Sequence, residues 1–171
     1  SYQLPAGGFA YLADSIKRVV NVPVIACNRI NNIETMEHIL ENGMADFVGT
    51  ARGFLADPCF AEKVLTGTPY NRCQGCNKCI EAVLKGKPVV CAYNPEAGHE
   101  AEEKTHRRVI SAKVVLVVGA GPAGLEAAKK SAERGYKTIL CTKDSYLGGM
   151  LVSASIPPEK QDLMKYIENK K

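Results

Sequence analysis

Cys73-Gln-Gly-Cys76-Asn-Lys-Cys79, followed by Cys91 just ahead of Asn94-Pro95, restricts this chain more than any other feature in it. A Cys-x-x-Cys-x-x-Cys run with one remote cysteine is a common way to hold an iron–sulfur cluster. Each iron needs one thiolate, and the short spacings let a single loop supply three of them. If the four sulfurs share one inorganic centre, residues 73–91 must close into a compact loop, and whatever flanks them must fold around it. A structural zinc site is the other metal reading, although zinc more often pairs its thiolates as two Cys-x-x-Cys knuckles. A disulfide set fits less well: the count of seven cysteines is odd, and no secretory signal is visible.

The two flanks are both α/β in pattern. On the N-terminal side, Phe9, Leu12, Ala13, Ile16, Val19 and Val20 recur at helical spacing. Residues 22–27 read as a short buried strand, and Asn32 is placed to cap a helix that runs through Leu40 and stops near Gly43. Residues 46–49 read as a second strand. Asp57-Pro58 has the look of a cap and first turn for a third helix, with Gly67 ending it. A brief helix over about 78–85 is expected between the third and fourth cysteines. Residues 99–108 are dense in charge without apolar periodicity and read as an exposed linker.

The C-terminal side restarts with Val114 to Val118, an apolar strand, and then Gly119-Ala-Gly121-Pro-Ala-Gly124 at the opening of a helix through about Arg134. That context is the one in which Gly-x-Gly-x-x-Gly means dinucleotide binding. The first glycine makes the turn, the second lets a pyrophosphate approach, and the third lets helix and strand pack. Residues 138–141 are the next strand. An acid is expected at its end to bind the ribose, yet Thr142 stands there and Asp144 is two positions on. Pro157-Pro158 precedes a last helix with Leu163, Met164 and Ile167 expected to face inward.

Two strands neither close a parallel barrel nor make a full doubly wound sheet, so the chain is expected to be a fragment of a longer protein. The domains are 1–68, the C-terminal part of a barrel; 69–98, the cysteine segment; 99–112, the linker; and 113–171, the first part of a Rossmann-like domain. If the first two strands are the last two of an eight-stranded barrel, the loops after them form a phosphate site. Asn28-Arg29-Ile30 and Gly49-Thr50-Ala51-Arg52 would then supply small residues for close approach and two arginines for charge. Two ordinary surface arginines are the alternative.

Composition excludes several classes. The chain has 171 residues, 46% hydrophobic and 23% charged, with a net charge of +4 and no Trp. No basic stripe interleaves with aromatics, which argues against nucleic acid. The apolar runs are too short to span a bilayer, so a cytoplasmic protein is expected, with no membrane partner. His38, His99 and His106 read as surface residues, and Cys27, Cys59 and Cys141 as small packing residues.

The order of motifs resembles the NADH:flavin oxidoreductase family. Val24-Ile-Ala-Cys-Asn-Arg-Ile30, Ala45-Asp-Phe-Val-Gly-Thr-Ala-Arg52, Phe54-Leu-Ala-Asp-Pro58, the cysteines, Asn94-Pro-Glu-Ala97 and Val117-Val-Gly-Ala-Gly-Pro-Ala-Gly124 follow one another as in its multidomain members. These are the 2,4-dienoyl-CoA reductase, 2-enoate reductase and trimethylamine dehydrogenase types. The resemblance implies a barrel holding FMN, a 4Fe-4S segment and an FAD/NAD(P) domain. It implies that Arg29, Gly49, Ala51 and Arg52 serve the FMN phosphate and that Cys73, Cys76, Cys79 and Cys91 ligate the cluster. Gly119, Gly121, Ala123, Gly124 and Thr142 would serve FAD, or an ADP-type ligand, with Gly148, Gly149 and Met150 near its ribityl side.

The chemistry so implied is passage of electrons from NAD(P)H through FAD and 4Fe-4S to FMN, and reduction of an activated C=C bond in a small enoate or enoyl-CoA substrate. The full-length protein is expected to be a homo-oligomer, and this chain alone to be inactive. No catalytic acid is assigned, because in the family it comes from earlier barrel strands. Three positions depart from the family pattern: the short Cys76–Cys79 spacing, Thr142 and Met150. A non-enzymatic electron-transfer or zinc-stabilised nucleotide-binding module is the alternative function.

Overall fold

The computed structural model describes residues 4–103, 109 and 113–170, apart from the side chains of Glu103 and Glu159. The chain divides into two compact units, Ser1–Gly98 and His99–Lys171. Each is α/β and each is built on one parallel strand pair.

The first unit starts with α1 (Ala10–Lys17). β1 (Ile25–Ala26) pairs in parallel with β2 (Phe47–Val48), and α2 (Ile33–Glu41) crosses between them. The strands are shorter than the apolar runs 22–27 and 46–49 suggested. Asn32 caps α2 as expected, its Oδ1 accepting the Thr35 N–H at 2.8 Å. Asp46 holds the entry to β1, accepting the Val24 N–H at 2.8 Å and pairing with Lys17 at 2.9 Å. The core gathers Ala26, Ile30, Met36, Ile39, Ala45 and Phe60, with Tyr70 meeting Phe60 edge-on at 4.8 Å between centroids. None of the periodic residues Phe9, Leu12, Ala13, Ile16, Val19 and Val20 is fully buried: Ala10 is the buried residue of α1, and Leu12 and Ile16 stay about half exposed.

Two corrections follow β2. A helix, α3 (Ala51–Ala56), takes in Ala51 and Arg52, which the sequence places in a loop over 49–52. The next helix, α4 (Phe60–Thr66), starts later than Asp57-Pro58 suggested. Asp57 does not cap it by the usual pattern: its buried carboxylate takes the N–H groups of Cys59 at 3.1 Å and Asn71 at 3.0 Å and the Lys63 ammonium at 2.7 Å. It thereby pins the chain leading into the cysteines onto α4. Gly67 ends α4 in the left-handed conformation, as expected. α5 (Lys78–Leu84) carries the third cysteine, Cys79, in its first turn and leads toward the fourth.

In the second unit, α6 (Glu100–Glu103) is one helical turn inside the expected linker; residues 104–108 and 110–112 lie outside the described residues, and His106 with them. β3 (Val114–Val118) pairs in register with β4 (Lys137–Cys141), and α7 (Pro122–Glu133) connects them. α8 (Met150–Ala154) was not expected from the sequence. α9 (Leu163–Glu168) buries Leu163, Tyr166 and Ile167, so Tyr166 takes the inward place expected of Met164, which is half-buried. Lys170, nearly buried, pairs with Glu126 and ties the end of the chain to α7.

Candidate metal centre and cofactor pockets

The turn after β1 is held in an unusual backbone. Asn28 and Arg29 both take positive φ, 80° and 55°, a region that non-glycine residues rarely adopt. This bend turns Arg29 back under the strand ends. There it lines a cavity of about 310 Å³ with Cys27, Asn31, Gly49, Ala51 and Arg52. Gly49 leaves room beside the Cys27 sulfur, which would lie 2.8 Å from a Cβ there and would have to shift to admit one. The residues expected to form a phosphate site therefore do meet in one cavity.

Its electrostatics are unbalanced. Nε and Nη1 of Arg29 are buried with no hydrogen-bond partner, and so is Oδ1 of Asn31. Buried, unpaired guanidinium nitrogens are costly unless something supplies acceptors. An anionic group with several oxygens, such as a phosphate, satisfies that requirement. The residues present fit the phosphate end of a flavin mononucleotide.

Cys73 and Gly75 also line this cavity, and Arg52 lines a second one together with Cys73, Cys76, Cys79 and Cys91. All four expected ligands thus border one space. Gly75 (φ 66°) and Asn77 (φ 61°) supply the left-handed bends that fold the loop back on itself. Asn94 fastens the segment after Cys91: its Nδ2 donates to the Leu55 carbonyl at 2.9 Å, and its Oδ1 accepts the Glu96 N–H at 3.0 Å. Arg72 grips Glu34 with two hydrogen bonds of 3.0 and 2.9 Å. Asn31 Nδ2 donates to the Cys73 carbonyl.

Burial pushes the Cys73 and Cys91 thiols above their ordinary range. The Gly75 N–H opposes this at Cys73, and the Tyr93 and Asn94 N–H groups oppose it at Cys91. The Tyr93 nitrogen lies 3.4 Å from the Cys91 sulfur. Amides aimed at sulfur suit a thiolate bound to metal more than a free thiol. The Gly86 N–H is not turned to sulfur: it bonds the Val83 carbonyl at 3.0 Å and closes α5.

Among the described residues no three His, Cys, Asp or Glu side chains are gathered closely enough to hold a single metal ion. A lone zinc draws its thiolates to within about 2.3 Å of itself, whereas the irons of a cluster each take a different thiolate and keep them further apart. The cavity among the cysteines measures only about 10 Å³, room for roughly one water. The fit to a four-iron core therefore rests on the donor set and on the amides facing sulfur, not on a preformed void.

In the second unit the glycine turn follows β3 directly. Gly119 has φ 105°, and its N–H bonds the Cys141 carbonyl at 2.7 Å, joining the turn to the end of β4. A Cβ on Gly124 would sit 1.8 Å from the Gly119 carbonyl oxygen, so only glycine allows this helix–turn contact. Gly121 faces open space, which leaves its backbone approachable. Ala123 lies in the first turn of α7, whose cap, Gly121, contributes no side-chain bond. The Gly148 N–H bonds the Ala120 carbonyl at 2.7 Å, and a Cβ on Gly149 would lie 3.2 Å from the Gly121 Cα. Gly148 and Gly149 thus border the turn, while Met150 is 87% exposed at the start of α8. Thr142 is exposed, and its Oγ1 accepts the Asp144 N–H at 3.3 Å.

What sequence reasoning missed is the set of polar side chains that fasten the cysteine loop: Asn31, Asp57, Asn77 and Asn94. Asn94 stood within a recognised motif, but its bond to Leu55, 39 positions away, has no local signal.

The strand-end cavity with its buried, unpaired arginine beside four cysteines, and the glycine turn on a second parallel pair, belong to a chain similar to flavin-dependent oxidoreductases. Residues 9–71 match the family model described as NADH:flavin oxidoreductase / NADH oxidase, and residues 115–169 match FAD dependent oxidoreductase. The chain is similar to "Metal reductase" of Desulforamulus reducens, 44% identical over 94% of this chain and 24% of that protein. It is 41% identical to "NADH oxidase" of Thermoanaerobacter brockii, over 90% of this chain and 24% of that one. Among solved structures, 2-naphthoyl-CoA reductase matches with a TM-score of 0.90 and 27% identity, over 99% of this chain and 26% of the other. Residues 9–71 thus carry the NADH:flavin oxidoreductase / NADH oxidase family pattern. It spans about a quarter of the length of the curated relatives it matches. No helix among the described residues is long and apolar enough to cross a membrane.

Proposed function

We propose that this chain is the part of a cytoplasmic oxidoreductase that carries electrons from NAD(P)H through FAD and a 4Fe-4S cluster to FMN, for reduction of an activated C=C bond in an enoate or enoyl-CoA substrate. One observation carries the reading: buried, unpaired nitrogens of Arg29 line a cavity that shares Arg52 and Cys73 with the space bordered by all four clustered cysteines. An anion site and a thiolate site share walls, which places their occupants close to each other.

In this reading Arg29 and Arg52 hold the FMN phosphate, and Gly49 and Ala51 admit it. Cys73, Cys76, Cys79 and Cys91 hold the cluster, and the amides of Gly75, Tyr93 and Asn94 stabilise negative charge on sulfur. The Gly119–Gly124 turn holds a pyrophosphate with backbone amides. When bound, flavins supply two-electron chemistry that can be released singly, and a cluster supplies the one-electron step between them. An ADP-type ligand is the second reading for the nucleotide turn, because the three glycines leave room for a pyrophosphate and Thr142 brings no carboxylate to a ribose.

The test is anaerobic reconstitution of the full-length protein with iron and sulfide, followed by metal analysis. About four iron and four sulfide per chain are expected. Zinc without sulfide overturns the reading. Consumption of NADH or NADPH that depends on an added enoate, such as a cinnamate, then separates a C=C reductase from an electron carrier without a substrate.

A further inference from the structure

We propose that Asn77 is a positioning residue that couples the anion pocket to the cysteine loop through Arg52, so that a phosphate monoester in the pocket and a metal core in the loop stabilise each other. The inference rests on the cofactor reading above and goes beyond it.

Asn77 lies between Cys76 and Cys79 in a left-handed conformation. That conformation costs an ordinary residue about 1–2 kcal/mol, less for asparagine. Its carbonyl accepts the Glu81 N–H at 2.9 Å and so begins α5, the helix that carries Cys79. The orientation of this one residue therefore sets the directions of two ligands. The side chain is fixed from one place: Arg52 Nη1 donates to Asn77 Oδ1 at 2.7 Å.

Arg52 is one of three grips that the pocket lining places on the loop. Asn31 donates to the Cys73 carbonyl, and the Arg29 guanidinium lies just beyond the Gly75 Cα, where an added Cβ would be 3.7 Å from its carbon. The Arg52 guanidinium borders both cavities, and its planar fork can face an anion with one edge and Asn77 with another. An anion that fixes the guanidinium removes its rotamer freedom in advance, so the bond to Asn77 forms at lower entropic cost. Linkage then requires the reverse: a filled cysteine loop raises anion affinity by the same factor.

The experiment uses the full-length protein. FMN affinity is measured by flavin fluorescence before and after a chelator strips the metal, and the rate of metal loss to that chelator is measured with FMN, with riboflavin and with neither. We expect FMN to bind about fivefold or more tightly when the metal is present. FMN is also expected to slow metal loss, and riboflavin, which lacks the phosphate, to leave it unchanged. Asn77→Gly, which eases the backbone but removes the acceptor, should bring both ratios to near one; Asn77→Asp, which keeps an acceptor, should preserve them. FMN affinity independent of the metal, or coupling undiminished in Asn77→Gly, overturns the proposal. Failure to bind FMN or iron at all brings down the cofactor reading itself, and this inference with it.

Discussion

Both units place a turn after the first strand of a parallel pair, yet they prepare it for an anion in opposite ways. The first unit uses side-chain charge: Arg29 is bent into its cavity by two successive positive-φ residues, and its nitrogens are left buried without partners. The second uses backbone alone: Gly119, Gly121 and Gly124 strip the turn of side chains. The first device stores an electrostatic cost in the empty protein that a ligand relieves. The second stores none and depends on a close contact that tolerates no extra atom. Substitutions should therefore separate binding from stability in one unit and lose both together in the other.

The largest effect is expected at Gly124. Alanine there puts a methyl carbon 1.8 Å from the Gly119 carbonyl oxygen, a backbone atom that cannot swing aside. Gly124→Ala should lose nucleotide binding by more than about 100-fold and cost about 3 kcal/mol of stability, since overpacking of this kind has no soft neighbour to absorb it. Nucleotide titration and urea unfolding check both. A variant that unfolds like the parent would show that the turn does not close as described.

Arg29 should behave differently. Arg29→Met keeps a long side chain and the same backbone demand but removes the unpaired nitrogens. Affinity for FMN should fall by about 10- to 100-fold, the value of charge-assisted hydrogen bonds to phosphate. The ligand-free protein should nonetheless hold or gain about 1 kcal/mol, because a buried unsatisfied group is removed. Thermal unfolding without and with FMN reads the two effects separately. A destabilised ligand-free variant would mean that Arg29 is a structural residue and that the contrast between the units is false.

The same contrast explains what the sequence made legible. The strand–glycine–helix of the second unit is a local pattern: β3 is found at its expected limits, and the spacing of the three glycines carries the whole turn. The strands of the first unit were legible only as apolar runs, and just two residues of each pair in the ladder. α3 was hidden because Gly49, Thr50 and Gly53 disfavour a helix locally and read as a phosphate loop. α8 was hidden behind Gly148-Gly149, which read only as a ligand contact. The cysteines announced themselves by spacing. The side chains that shape their loop did not, because Arg52 to Asn77 and Asn94 to Leu55 join positions 25 and 39 residues apart. Leu12 and Ile16 of α1 stand in an apolar repeat and yet stay exposed, because periodicity records an apolar face without recording what covers it.

The smallest expected effect sharpens the second half of the comparison. If the nucleotide turn works by backbone alone, the end of β4 is the one nearby position where a side chain normally adds specificity. Thr142 adds little, since its hydroxyl accepts the Asp144 N–H and stabilises the local bend. Thr142→Glu would place a carboxylate where the two ribose hydroxyls of an adenosine diphosphate are usually held. Because the position is exposed, solvent screening limits the gain. Affinity for ADP should rise by about three- to tenfold, and affinity for its 2′-phosphorylated form should fall, since two negative charges would then meet. Calorimetric titration of both ligands against parent and variant measures the difference. If the parent already discriminates strongly against the 2′-phosphate, a side chain other than residue 142 reads the ribose, and backbone alone does not account for recognition in this unit.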